Sequence, residues 1–136
     1  MSFTPVIAIH TAAAIAAVVI GPLALWSRRS GHVRTRLHRG AGYAWVTVMV
    51  ATAVSAIFIT GGGGPRWGSF GLIHLFIPVT LGMLVMAFVY LARRNIVGHR
   101  KMMQRIYIGA CLGAGAFTLL PDRFLGHTVW SALGLI

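Results

Sequence analysis

Three stretches of about 20 residues, each apolar nearly from end to end, constrain this chain more than any other feature. They are "PVIAIHTAAAIAAVVIGPLALW" (5–26), "GAGYAWVTVMVATAVSAIFIT" (40–60) and "FGLIHLFIPVTLGMLVMAFVYLA" (70–92). A bilayer's hydrocarbon core is about 30 Å thick and a helix rises about 1.5 Å per residue, so each run is long enough to cross. In lipid the backbone must satisfy its own hydrogen bonds, which selects helices. With 57% apolar and only 10% charged residues, the chain falls outside the range of an ordinary soluble domain.

A fourth run, "MMQRIYIGACLGAGAFTLLP" (102–121), also spans if Gln104 and Arg105 sit in the headgroup layer, where a long side chain can snorkel outward. Beyond Pro121, Asp122 and Arg123 the tail 122–136 is too short to cross. Its Leu125, Val129, Leu133 and Ile136 recur at helical spacing, which predicts a short helix in the interface. The expected fold is therefore all-α: one membrane domain over 1–136, a four-helix bundle with a C-terminal interfacial helix. The glycine-rich "GGGGPRWGS" (61–69) lacks the setting of a phosphate-binding loop and is expected to be a plain outer turn. Cys111 is the single cysteine, so it forms no intrachain disulfide and is expected to be packing.

Basic residues orient the chain, because cytoplasmic loops retain Lys and Arg during insertion. Arg28, Arg29, Arg34, Arg36 and Arg39 lie between the first two runs, and Arg93, Arg94, Arg100, Lys101 and Arg105 between the last two. The other side has only Arg66 and Arg123. Both termini are expected outside and the basic loops in the cytoplasm, in a bacterial inner membrane. The first run has neither a charged start nor a small-residue cleavage site, which predicts a retained helix. A net charge of +11 with one acidic residue, Asp122, calls for anions from elsewhere. Anionic lipid headgroups are expected partners, and nucleic acid is not.

The two halves repeat. "IAIHTAAAIAA" opens the first run and "GLIHLFIPVTL" the third, while "LHRGAGYAW" opens the second and "GHRKMMQRIY" the fourth. A repeated hairpin packs as an up-down-up-down bundle with the first and third helices on one diagonal, the second and fourth on the other. His10 and His74 should then share a level roughly 6 to 8 Å below the outer edge. His38 and His99 should share the opposite level. His32 and His127 fall in a loop and the tail and are expected to be solvated.

An ionisable residue inside a span usually faces the bundle interior and marks function. Imidazoles from facing helices are common axial ligands of haem iron. The expected iron ligands are His10 with His74 for an outer haem b, and His38 with His99 for an inner one. The face of the first helix carrying Ala13, Ala14, Ala17 and Gly21 is small enough to admit a flat ring, as is the pattern Gly109, Ala110, Gly113, Ala114. The same small residues also suit close helix contact. Arg39 and Arg100 directly follow His38 and His99 and are candidates to hold haem propionates through paired hydrogen bonds, a role for which anionic lipid competes.

The set "IH", "HRGAG", "IH", "HRKMM" resembles a bacterial domain-of-unknown-function family of small predicted membrane proteins with HR-x-x-G and HR-x-W-M patterns. His38, Arg39 and Gly42 match the first pattern; His99, Arg100 and Met103 match the second, with Met102 where the family tends to have Trp. The resemblance covers nearly the whole chain and implies no established activity. In layout the chain also resembles di-haem b-type transmembrane cytochromes, which implies transmembrane electron transfer, with quinone as donor or acceptor. Tyr43, Trp45 and Tyr107 stand where a quinone ring could be flanked.

The leading expectation is thus a b-type cytochrome, a membrane oxidoreductase if an enzyme at all, with no catalytic residue singled out. One alternative is a non-enzymatic subunit or assembly factor that binds partner helices, a larger complex or its own copy, together with anionic lipid. Another is a copper or zinc site at His10 and His74, for which acidic and cysteine ligands are lacking nearby.

Overall fold

The structure, a computed structural model, describes residues 4–27, 32–60, 66–68 and 70–136. Arg28, Arg29, the side chains of His32, Arg34 and Arg66, and most of the glycine-rich turn lie outside the described residues.

Helix α1 runs Pro5–Trp26, matching the first apolar run, with Thr4 capping it by accepting from the Ile7 amide at 3.4 Å and Pro5 in the first turn, where its missing N–H costs nothing. Its buried residues, Ala17, Gly21 and Ala24, form one narrow small-residue stripe. The rest of its circumference is also apolar, as befits a helix surrounded by lipid.

Helix α2 runs His32–Ile57 and so starts eight residues before the apolar run. Arg36, His38 and Arg39 therefore ride on its first turns rather than in a loop. Trp45, Met49 and Ala53 are its buried stripe, one per turn. A two-residue antiparallel ladder, β1 (Arg66–Trp67) with β2 (Phe70–Gly71), and a 3-10 turn (Leu72–Leu75) lead into α3 (Phe76–Ala92). His74 belongs to the 3-10 turn, not to the helix interior as expected.

A tight turn follows, with Arg94 in the left-handed region (φ 58°) and the Asn95 amide bonded to Tyr90 O at 2.8 Å. Asn95 Oδ1 then caps α4 (Ile96–Ile106) by accepting from the Gly98 amide at 2.8 Å. A side chain at 98 would press on Asn95 and on the Tyr90 ring, which explains the glycine. The helix continues without a break through a π-helical segment (Tyr107–Gly113) into α5 (Ala114–Thr118).

The tail forms α6 (Phe124–Ala132), and Gly134 (φ 69°) follows its end, so Ile136 falls outside the expected helical stripe. Trp130 Nε1–H donates to Leu119 O at 2.7 Å, and Gly126 lies against the Leu120 carbonyl. The tail helix thus docks on the end of α5 through backbone-level contact.

Among the described residues three helical stretches, Pro5–Trp26, Thr35–Ile57 and Ile73–Ala92, are long and apolar enough to cross a membrane. α1 packs mainly along α2, and α3 along α4; the pairs meet where α2 touches α3 and where α1 touches the π segment. The core joins Ala17, Ala24, Trp45, Met49, Leu84, Ile106, Tyr107 and Cys111. Outward-facing Ile9, Val19, Val85 and Ile108 stay exposed, the arrangement expected where lipid is the solvent.

Candidate functional site

His38 sits near the start of α2, and its Nδ1–H donates to Ala24 O of α1 at 2.6 Å. His99 sits near the start of α4, and its Nδ1–H donates to Ala87 O of α3 at 2.8 Å. The repeat seen in the sequence is therefore a repeat of contacts: in each pair of helices the second one's histidine pins a carbonyl of the first. A carbonyl can only accept, so the proton resides on Nδ1 and the lone pair on Nε2. Among the described residues neither Nε2 has a hydrogen-bond partner.

His10 follows the same rule at the other end. Its Nδ1 lies 3.0 Å from Thr52 O and 3.0 Å from Ser55 Oγ, and Ser55 itself donates to Thr52 O at 3.0 Å. Again Nδ1 is the protonated atom, and Nε2 has no partner among the described residues. His74 differs. Its Nδ1 accepts from the Gly71 amide at 3.1 Å while Nε2–H donates to Ile59 O at 3.0 Å, and the Phe70 ring meets it edge-on at 5.2 Å. Both nitrogens are engaged. His10 reaches α2 at Thr52 and Ser55, whereas His74 reaches Ile59, beyond the helix end, so the two mark successive levels rather than one.

The small face of α1 is occupied by side chains. Tyr107 lays its ring on Gly21, where any Cβ would collide with it, and the Trp45 indole N–H donates to Ala17 O at 3.0 Å. The reason is legible in hindsight: Pro22 lacks an amide hydrogen, so Val18 O has no donor four residues on, and Tyr107 Oη–H supplies one at 3.0 Å. Ala17 and Gly21 thus make room for two aromatic side chains rather than a macrocycle at that level. Of the three aromatic residues expected to flank a quinone, Trp45 and Tyr107 are committed to this core, and Tyr43 alone is exposed, at 64%. Cys111 packs as expected, its Sγ 3.4 Å from Met49 Sδ.

Gly42, one turn beyond His38 on the same face, has nothing within 4 Å of where a Cβ would stand. The Trp45 and Tyr107 layer lies seven and eight residues along from His38 and His99, roughly 10 to 12 Å deeper. Arg39 and Arg100 are exposed beside the two histidines. Among the described residues the ion pair seen is Arg123 with Asp122 at 4.0 Å, far along the chain, and no three His, Cys, Asp or Glu side chains converge as a metal site would need.

Sequence reasoning found the histidines but missed their partners. Thr52, Ala24, Ala87 and Ile59 act through backbone carbonyls, which leave no mark in side-chain identity; Pro22 signals only the Val18 carbonyl that Tyr107 meets.

Neither a curated protein nor a solved structure matches the chain. A family model described as predicted membrane protein (DUF2306) matches residues 7–130, a stretch containing His10, His38, His74 and His99. The chain belongs to this family of predicted membrane proteins.

Proposed function

We propose that this protein is a b-type cytochrome-like electron carrier of the membrane, with His38 and His99 as ligands of an inner haem and His10 and His74 as ligands of an outer one. The observation that carries the proposal is the shared bond of His10, His38 and His99, in which Nδ1–H is fixed on a backbone carbonyl and Nε2 has no partner among the described residues. A histidine that binds metal through one nitrogen almost always donates from the other to a carbonyl, carboxylate or water, which sets tautomer and ring orientation beforehand. Haem bound there would supply one-electron exchange. The chain's own part is to hold the proton at Nδ1, to aim Nε2, and to leave Gly42 bare beside the inner pair. Arg39 and Arg100 fit the propionates of that inner group.

At the inner pair the support is that neither Nε2 has a hydrogen-bond partner among the described residues. At the outer pair His74 must release Ile59 O and shift to the level of His10 before both can serve one iron, and its double engagement favours a second reading there, a structural clasp between the end of α2 and the start of α3. If all four histidines are such clasps, the chain is a non-enzymatic membrane subunit. Haem stoichiometry decides between them. Protein purified from haem-replete cells is expected to contain two haems per chain; one haem, lost on His38→Ala, would confine the site to the inner pair, and none would favour the subunit.

The proposal includes four crossings, with the continuous helix from Ile96 to Thr118 as the fourth. Both termini are outside and the basic helix starts cytoplasmic, in a bacterial inner membrane. The support is the one-sided distribution of Lys and Arg. A topology reporter joined after Asn95 is expected to read cytoplasmic, and one joined after Trp67 exterior. The reverse pattern would invert the two haem levels as well as the termini.

A further inference from the structure

A groove of about 500 Å³ runs between α2 and α3, with Val46 and Val50 on one wall and Leu81, Val85, Phe88 and Ala92 on the other and no histidine in its lining. Every residue lining it is apolar. From Leu81 to Ala92 it extends eleven residues, roughly 16 Å. That is about half the thickness of a hydrocarbon core, the depth of one leaflet.

Its basic end is charged on both walls. Along α2 the stripe Val50, Val46, Tyr43, Arg39, Arg36 proceeds in steps of four and three, so one face leads from the groove to two arginines. On α3, Arg93 and Arg94 directly follow Ala92. Tyr43, Arg36, Arg39, Arg93 and Arg94 are all exposed, and among the described residues none of these arginines has a carboxylate partner. A ligand suited to this place has an apolar tail one leaflet long and a negative head.

We propose that the α2–α3 groove is a specific site for one anionic phospholipid of the cytoplasmic leaflet, its acyl chain along Val46, Val50, Val85 and Phe88 and its phosphate between Arg93 and Arg36. The site depends on α2 and α3 crossing the membrane and on their basic ends lying together. It does not depend on haem. A bulk surface potential would attract anionic lipid to every positive charge alike; the groove adds an apolar slot that ties retention to particular positions. Arg39 lies on the same stripe and has been assigned to a propionate above, so the test leaves it unchanged.

The test is native mass spectrometry of the full chain released from nanodiscs containing equal dioleoyl-phosphatidylglycerol and dioleoyl-phosphatidylcholine. One phosphatidylglycerol is expected to stay bound in preference to phosphatidylcholine. Arg93→Gln should weaken that retention about fivefold, the equivalent of ~1 kcal/mol per charge. Val85→Trp, which fills the slot from a position already 62% exposed and so tolerant of size, should abolish it. Lys101→Gln, on α4, should leave it unchanged. The proposal is overturned if Lys101→Gln weakens retention as much as Arg93→Gln, if phosphatidylcholine is held equally well, or if Val85→Trp retains phosphatidylglycerol. It is also overturned if Val85→Trp turns a dimer into monomers, because the groove's occupant would then be a second copy.

Discussion

His38→Gly and His99→Gly are each expected to remove the same haem, so that either variant falls from two haems per chain to one while the other component keeps its spectrum. The expectation rests on the matched bonds of these side chains, Nδ1–H to Ala24 O and to Ala87 O, which leave two Nε2 lone pairs on α2 and α4. A six-coordinate iron needs both, and neither histidine can substitute for the other. Each substitution also removes a pin between helices, worth about 0.6 to 2 kcal/mol for a hydrogen bond within a membrane protein. Free imidazole separates the two effects. Imidazole added to the glycine variants should restore the lost spectrum by entering the vacated position, although it does not restore the hydrogen-bonded pin between the helices. If the variants lose different components, or lose none, the pairing of His38 with His99 is wrong.

The second large effect is structural. Gly21→Ala is expected to destabilise the detergent-solubilised protein by about 1 to 3 kcal/mol, the usual cost of forcing an added group into a packed core. The new Cβ would collide with the Tyr107 ring, and that ring is held in place by its hydroxyl on Val18 O at 3.0 Å. Tyr107 cannot simply swing aside without leaving Val18 O unpaired, since Pro22 offers no amide to it. Thermal unfolding of the variant series checks this. In a Tyr107→Ala background the further change Gly21→Ala should cost little, because the obstacle is gone and the two sites are coupled. Equal costs in both backgrounds would show that Gly21 is needed for some reason other than the ring.

These expectations draw unevenly on what could be read beforehand. α1 was legible to the residue, because Pro5 and Trp26 bound a run that is apolar apart from His10 and Thr11. α2 was not, because six of its first eight residues are polar and hydropathy registers the lipid rather than the helix. A glycine costs a helix only about 1 kcal/mol, and α2 runs through both Gly40 and Gly42. The π segment from Tyr107 to Gly113 is invisible in composition, since a change of hydrogen-bond register leaves no pattern in the side chains. For the site, the matched bonds of His38 and His99 follow the repeat that the sequence shows, whereas His74 departs from His10 because both of its ring nitrogens are engaged. The assignment of small residues on α1 was not legible, because Ala17 and Gly21 would look the same beneath a haem, a neighbouring helix or an aromatic ring. Only Pro22 distinguished these, by freeing one carbonyl whose donor had to come from another helix.

The central claim is that iron is held between imidazoles of opposing helices, and electron paramagnetic resonance of the oxidised, purified protein addresses it most directly. Bis-imidazole coordination is predicted to give low-spin ferric haem signals, one of which disappears in His38→Gly and in His99→Gly alike. A purely high-spin haem signal, or a haem signal indifferent to both substitutions, would contradict the account.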